Sequence, residues 1–388
     1  MGILVISFDA IGDNAFEAIS QDKKNYPNVA KFKEEAFYCG GVKTVFMSNT
    51  YPVHTSISTG KLPKDHGIIS NMLSSDKNGA QPWAQMAKYI KTKTIWDAAK
   101  EKNLTTAAIH WPVTNGAKID YHLPETHTEK WQNPLLRRFV YGSFFFQLAA
   151  LFKYGGILVK AIIKNKFRGI GQPAVDNFIT AVTCDLLRRK KLDLVLVHLL
   201  AYDHTFHYSV PNGKKRDIAK KAMDTNLGRL LKSWGDDTVI VFSDHSQFDI
   251  KENINLKVLY GDSVFEQCGG SAFLIKKTEG FGVLPLEEQP WFERCLTEEE
   301  MTESGYAQAA ALRRLQIIGI AAKAGYCFSE YGKYKGNHGY PADYDNYNVF
   351  YAVRSKSLLP EIEKMQFKNH ITDITKIIVK ELNLDMAV

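Results

Sequence analysis

The sequence has little that would mark an exported or nucleic-acid-binding protein. Its five cysteines, Cys39, Cys184, Cys268, Cys295 and Cys327, are odd in number and scattered, with no CxxC spacing. That argues against a disulfide scaffold and for reduced thiols in a cytoplasmic protein. No basic segment precedes the first apolar run, residues 1–8, which reads as a buried strand rather than a signal peptide, so the expected location is again the cytoplasm. No arginine occurs before Arg137. The 49 basic and 42 acidic residues leave a net charge of +7 that is spread along the chain. This excludes a concentrated nucleic-acid stripe, and with it a duplex partner, and suits a small anionic substrate. There is no internal repeat and no low-complexity tract.

A clean membrane-spanning run is also missing. Residues 139–163 are strongly apolar and contain Phe144, Phe145 and Phe146, but Gln147, Lys153, Gly155, Gly156 and Lys160 interrupt them. The segment predicts a helical hairpin or a cap over a cleft. A peripheral membrane contact through residues 139–168, helped by Arg137, Arg138, Lys164, Lys166 and Arg168, is the lesser expectation.

What is present is a strand-and-helix alternation. Ile3 to Phe8 predicts a central parallel strand ending at Asp9. Helices are predicted over 28–37, 50–59, 94–102, 174–189, 214–234 and 370–382, the first opened by Pro27. Strands are predicted over 42–46, 105–110, 192–198, 238–242 and 271–275. The rhythm predicts an α/β, doubly wound, mostly parallel sheet whose ligands sit beyond the carboxyl ends of the strands. Residues 1–114, 174–250 and 336–388 are expected to form the core. Residues 115–173 then make an inserted cap segment, and 251–335 a smaller inserted subdomain.

The stretch Ser48-Asn49-Thr50-Tyr51-Pro52-Val53-His54 opens the helix that Gly60 can close. Thr50 reads as its N-cap, a common structural role. A hydroxyl there also sits at the positive end of a helix dipole, where a phosphate is welcome. Acids and histidines gather at the strand ends: Asp9, Asp203, His207, Asp244, His245 and, further on, His338. Three carboxylates and three imidazoles are what two zinc-like divalent ions need, three protein ligands each with a position open. Asp203 and His207, four apart, converge if their turn is helical. His54 and His66 read as structural histidines.

These residues, with Asp65-His66-Gly67-Ile68, Ser243 and the run His338-Gly339-Tyr340, resemble the alkaline phosphatase superfamily and, within it, the type I phosphodiesterase/nucleotide pyrophosphatase family. The resemblance implies that Asp203, His207 and His338 hold one Zn2+ and Asp9, Asp244 and His245 the other. It places Thr50 between the ions as nucleophile and metal ligand, Asn71 as donor to a phosphate oxygen, and Tyr51 as the aromatic that stacks on a base. The expected function is hydrolysis of a phosphodiester or nucleotide pyrophosphate through a phosphothreonine, with a small phosphate ester or nucleotide as substrate. The alternatives are a phosphonate or phosphomonoester hydrolase, a phosphomutase, and a metal-binding protein without turnover. Thr50 argues against a sulfatase, which would need Cys or Ser at that position.

Overall fold

Ile3–Phe8 (β1) is buried along its whole length, as a strand covered on both faces must be. The other strands of its sheet are Phe37–Val42 (β2), Thr106–Ile109 (β3), Tyr121–Leu123 (β4), Leu194–Leu199 (β5), Thr238–Phe242 (β6) and Val349–Arg354. In this computed structural model, which describes residues 2–73, 82–127, 140–166, 171–275, 285–330, 332–362 and 364–388, the order is β2, Val349–Arg354, β6, β1, β5, β3, β4. The five strands from β6 to β4 are mutually parallel. Val349–Arg354 runs antiparallel to both its neighbours, β6 and β2.

Alternation along β1 sends Leu4, Ile6 and Phe8 to one face and Ile3 and Val5 to the other. The first face carries the helices Pro27–Glu35, Ala174–Arg189 and Lys214–Trp234. The second carries Thr50–Thr59, Ile95–Glu101 and Asp373–Glu381. The sheet is therefore doubly wound, with its parallel strands ending toward one rim. Each fully buried leucine or isoleucine in these layers contributes roughly 1.5–3 kcal/mol of apolar transfer free energy.

Three details differ from the sequence reading. The helix expected to reach residue 37 stops at Glu35, and the edge strand is Phe37–Val42 rather than 42–46. Tyr38 stacks with Phe16 and Phe350, and this packing draws the segment onto the sheet. The segment 115–173 contributes strand β4 to the main sheet before it departs. Beyond β4, where a helical hairpin or a cap over a cleft is expected, the stretch Phe144–Lys164 is a single continuous helix, and residues 128–139 before it lie outside the described residues. Gly155 and Gly156 stay helical because Tyr154, Ile157 and Leu158 around them pack on the core.

Within residues 251–335, the strands Phe292–Leu296, Ile317–Ala322, Ser271–Ile275 and Val264–Cys268 form a separate antiparallel sheet in that order. It reaches the rim of the main sheet near His338. A Cβ at Gly269, whose φ is +62°, would stand 1.7 Å from the His338 carbonyl oxygen, so only glycine fits that approach.

Candidate active site

Six of the sequence-marked residues converge at the rim in two groups. Asp9, Asp244 and His245 follow the carboxyl ends of β1 and β6, and the potential ligand atoms of each group lie within 4.8 Å of one another. His245 Nε2 stands 3.3 Å from Asp9 Oδ1 and 3.3 Å from Asp244 Oδ2. Three donors around an ion at about 2.1 Å are separated by roughly 3.4 Å, so this spacing is that of a ligand set. Both of those carboxylate oxygens are buried without a hydrogen-bond partner. The second oxygen of Asp244 accepts from the Ala10 N–H at 3.1 Å, which fixes the carboxylate plane.

The second group is Asp203, His207 and His338. Asp203 and His207 lie on the helix Ala201–Tyr208, which brings Oδ1 and Nε2 to 3.2 Å. His207 Nδ1 donates to the Gly336 carbonyl at 2.8 Å, and His338 Nδ1 faces Asn49 Oδ1 at 3.0 Å. Each imidazole is thus anchored through Nδ1 and presents Nε2 inward, the arrangement metal-bound histidines use. Gln247 donates to Asp203 Oδ1.

Burial, then the charges of Asp244 and Asp203, push the Asp9 carboxyl well above its usual range. Burial likewise raises Asp244 to about 7, against the lowering effect of His198 and the Ala10 N–H. Burial holds His245 and His338 well below theirs, as neutral imidazoles. Facing carboxylates that resist a second negative charge, beside neutral histidines, are the donor chemistry of a bound dication. The residues fit the two ions that the resemblance implies.

Thr50 is not the N-cap. Asn49 holds that place with extended backbone, and Thr50 is the first residue of the helix. The Asn49 side chain is turned to His338 instead of capping, and the Asn71 amide oxygen accepts from the Tyr51 N–H at 2.8 Å in its stead. That bond leaves the Asn71 NH2 group beside the helix start. Thr50 Oγ1 lies 3.4 Å from His245 Nε2, the atom that Asp9 and Asp244 also face. Gly60 closes the helix in the left-handed conformation.

Tyr51 is 1% exposed and lies beneath Trp83 and His127, at ring centroid distances of 5.4 and 6.3 Å. A stacking platform needs an open face, and Tyr51 has none; Trp83 and His127, stacked at 3.9 Å, form the half-exposed aromatic pair above it. His54 bonds the Thr50 carbonyl and Ser7, and His66 bonds Ser56 and the Ile68 N–H, both structural roles. Arg137, Arg138 and Arg168 lie outside the described residues.

One group was not singled out from the sequence. His198, inside β5, directs Nε2 to Asp9 Oδ2 at 3.1 Å and Nδ1 to the His110 carbonyl at 3.2 Å, with Glu125 Oε2 3.5 Å away. Burial alone would depress His198, but hydrogen bonds with Asp9 and Glu125 outweigh it and raise it well above the ordinary histidine range. Glu125 is held well below its range by His127 and His198 despite burial. His110, Glu125 and His198 are close enough to share an ion, yet both His198 nitrogens are already engaged. The group is a charged bridge from Glu125 to Asp9. A histidine inside an otherwise apolar strand was the available signal.

This sheet, with the two acid-and-histidine groups at its rim, defines an alkaline phosphatase-type α/β fold. The chain belongs to the type I phosphodiesterase / nucleotide pyrophosphatase family, whose model matches residues 3–294. Human ENPP4, a bis(5'-adenosyl)-triphosphatase, is 29% identical over 123 residues, which is 29% of this chain and 25% of ENPP4. The matched region thus spans about a quarter of that relative. Murine ectonucleotide pyrophosphatase/phosphodiesterase 5 shares the fold with a TM-score of 0.69 at 16% identity, covering 100% of this chain and 96% of that one. Phosphonoacetate hydrolase from Sinorhizobium meliloti 1021, in complex with phosphonoformate, gives 0.68 at 17% identity, over 98% and 95%.

Proposed function

We propose that the protein is a two-metal hydrolase of phosphodiester or nucleotide pyrophosphate bonds that works through a phosphothreonine at residue 50. The observation that carries this is the Thr50 hydroxyl, 3.4 Å from His245 Nε2 and beside two carboxylate oxygens without hydrogen-bond partners, Asp9 Oδ1 and Asp244 Oδ2. Two zinc ions in these groups would neutralise the attacking and leaving oxygens of an in-line displacement. Asp9, Asp244 and His245 would hold one ion and Asp203, His207 and His338 the other.

The chain's own part is positioning. Thr50 sits at a helix start, where the dipole and open N–H groups favour a phosphoryl group. Its Oγ forms the bond to phosphorus as the ester oxygen departs with its alcohol or nucleotide. Water then cleaves the phosphothreonine, restoring the hydroxyl, and the two inversions give net retention. Asn71, locked by the Tyr51 N–H, donates its NH2 to a non-bridging oxygen. Trp83 and His127 supply the aromatic surface for a base in place of the buried Tyr51. The five cysteines, with no disulfide among the described residues, support a cytoplasmic location.

A screen of the purified protein across diesters, pyrophosphates, monoesters and phosphonates tests the reading. It expects the highest kcat/KM on a diester or pyrophosphate. A phosphonate or monoester preference would overturn the substrate class, and absence of turnover with metal bound would favour a binding protein.

A further inference from the structure

The helix Phe144–Lys164 shows solvent a face that a soluble fold would not leave bare. Phe145 and Phe152 are 83% and 85% exposed, and Val159 and Ile163 are more than half exposed. With the exposed Ala149 and Gly156 between them, they recur at alternating spacings of four and three residues. That spacing is a single apolar line along one side of the helix, about 27 Å long at 1.5 Å per residue. Lys153, Lys160 and Lys164, spaced seven and four apart, form one exposed flank of this line. The 21 residues contain no acid. Lys153 pairs with Asp185, whereas among the described residues neither Lys160 nor Lys164 has an acidic partner.

The inner face is fixed to the fold. Phe146, Leu151, Tyr154, Ile157 and Leu158 pack against the core, and the Lys153–Asp185 pair at 2.7 Å ties the helix to Ala174–Arg189. The helix is long and apolar enough to cross a membrane by length and composition, but with this side committed to protein it lies on the domain. Aromatic residues in a line with lysines along one edge are the pattern of a helix that rests in the lipid headgroup layer. The apolar line enters the acyl boundary while the lysine stems reach up to phosphates.

We propose that Phe144–Lys164 docks the protein flat on an anionic lipid surface, with Phe145, Phe152, Val159 and Ile163 buried in the bilayer interface and Lys160 and Lys164 on lipid phosphates. A second copy of the chain is the less suitable occupant. In an antiparallel pairing of two such helices the lysine flank would face its own copy, and like charges would oppose the contact. This surface stands apart from the catalytic reading and does not depend on it.

Flotation of the full-length protein with vesicles of phosphatidylcholine alone, or with about a third phosphatidylglycerol, tests it. The parent is expected to bind the mixed vesicles at least tenfold more strongly than the neutral ones. Phe145→Ser/Phe152→Ser should lose at least tenfold of that binding, and Lys160→Glu/Lys164→Glu should abolish the preference for anionic lipid. Both variants alter exposed side chains, so their melting temperatures and turnover of a soluble diester should match the parent. Failure of the parent to bind anionic vesicles, or equal binding by the phenylalanine variant, would overturn the proposal. So would a parent dimer, measured by light scattering, that the phenylalanine variant converts to monomer.

Discussion

His198 Nε2 lies 3.1 Å from Asp9 Oδ2, and both side chains are almost wholly buried. Asp9 turns its other oxygen toward His245 Nε2, so one carboxylate is oriented from behind and presented in front. An outer partner of this kind typically governs metal affinity by a factor of 10–100. His198→Phe, which keeps the volume and removes the hydrogen bond, should weaken the ion of the Asp9, Asp244 and His245 group by about that factor. The second ion should be unaffected. A metal titration with a chromophoric chelator reads both, and an unchanged first constant would show that the bridge from Glu125 does nothing for Asp9.

The two ligand groups should be separable. Asp244→Ala and His338→Ala belong to different groups, so each should retain about one equivalent of zinc where the parent holds two. Elemental analysis that finds two equivalents in both variants would contradict the ligand assignment.

The phosphate's near side should be met by an amide rather than a guanidinium. The first arginine is Arg137, while Asp9, Thr50 and Asn71 all precede it. A diester carries one negative charge and a monoester approaches two, and an arginine fork is the usual answer to the second. The expected result is a higher kcat/KM on bis-p-nitrophenyl phosphate than on the monoester. Asn71→Ala should lower the diester value by about tenfold to a hundredfold, the loss of one charge-assisted donor. A variant equal to the parent would remove Asn71 from the reaction.

Stability should fall in mild acid. Burial pushes His66 and His122 each down to about 3, whereas in the unfolded chain they titrate near 6.5. Between those values the unfolded state carries the extra proton. The stabilisation is therefore complete above about pH 6.5 and is lost as pH falls, by about 1.4 kcal/mol per pH unit for each histidine. Urea midpoints between about pH 7 and pH 5 should drop in the parent and drop less in His66→Gln. Parallel slopes would count against His66 as a buried neutral group.

The parts of this fold that were legible in the sequence are those where one local signal dominates. Thr238–Phe242 is an unbroken apolar run, and Lys214–Trp234 and Ala174–Arg189 carry long helical periodicity. The gathering of Asp9, Asp203, His207, Asp244, His245 and His338 into two groups was legible because acids and histidines rarely follow buried strands together. Where tertiary contacts decide, the reading failed. Thr50 looked like a cap because nothing local shows that Asn49 takes the N-cap position while its side chain turns away to His338. Tyr51 looked available because its cover, Trp83 and His127, comes from distant segments. His198 was hidden among apolar neighbours, and its partner Glu125 follows the edge strand of a segment that read as an insert.

The most direct test of the account is to trap the covalent intermediate. Zinc-loaded protein mixed with a phosphorus-labelled diester and quenched in acid within the first turnover should carry label, and peptide mass analysis should place the phosphate on Thr50. Thr50→Ala should bind its metal and show neither label nor turnover. Label on another residue, or turnover by Thr50→Ala within tenfold of the parent, would contradict the phosphothreonine mechanism.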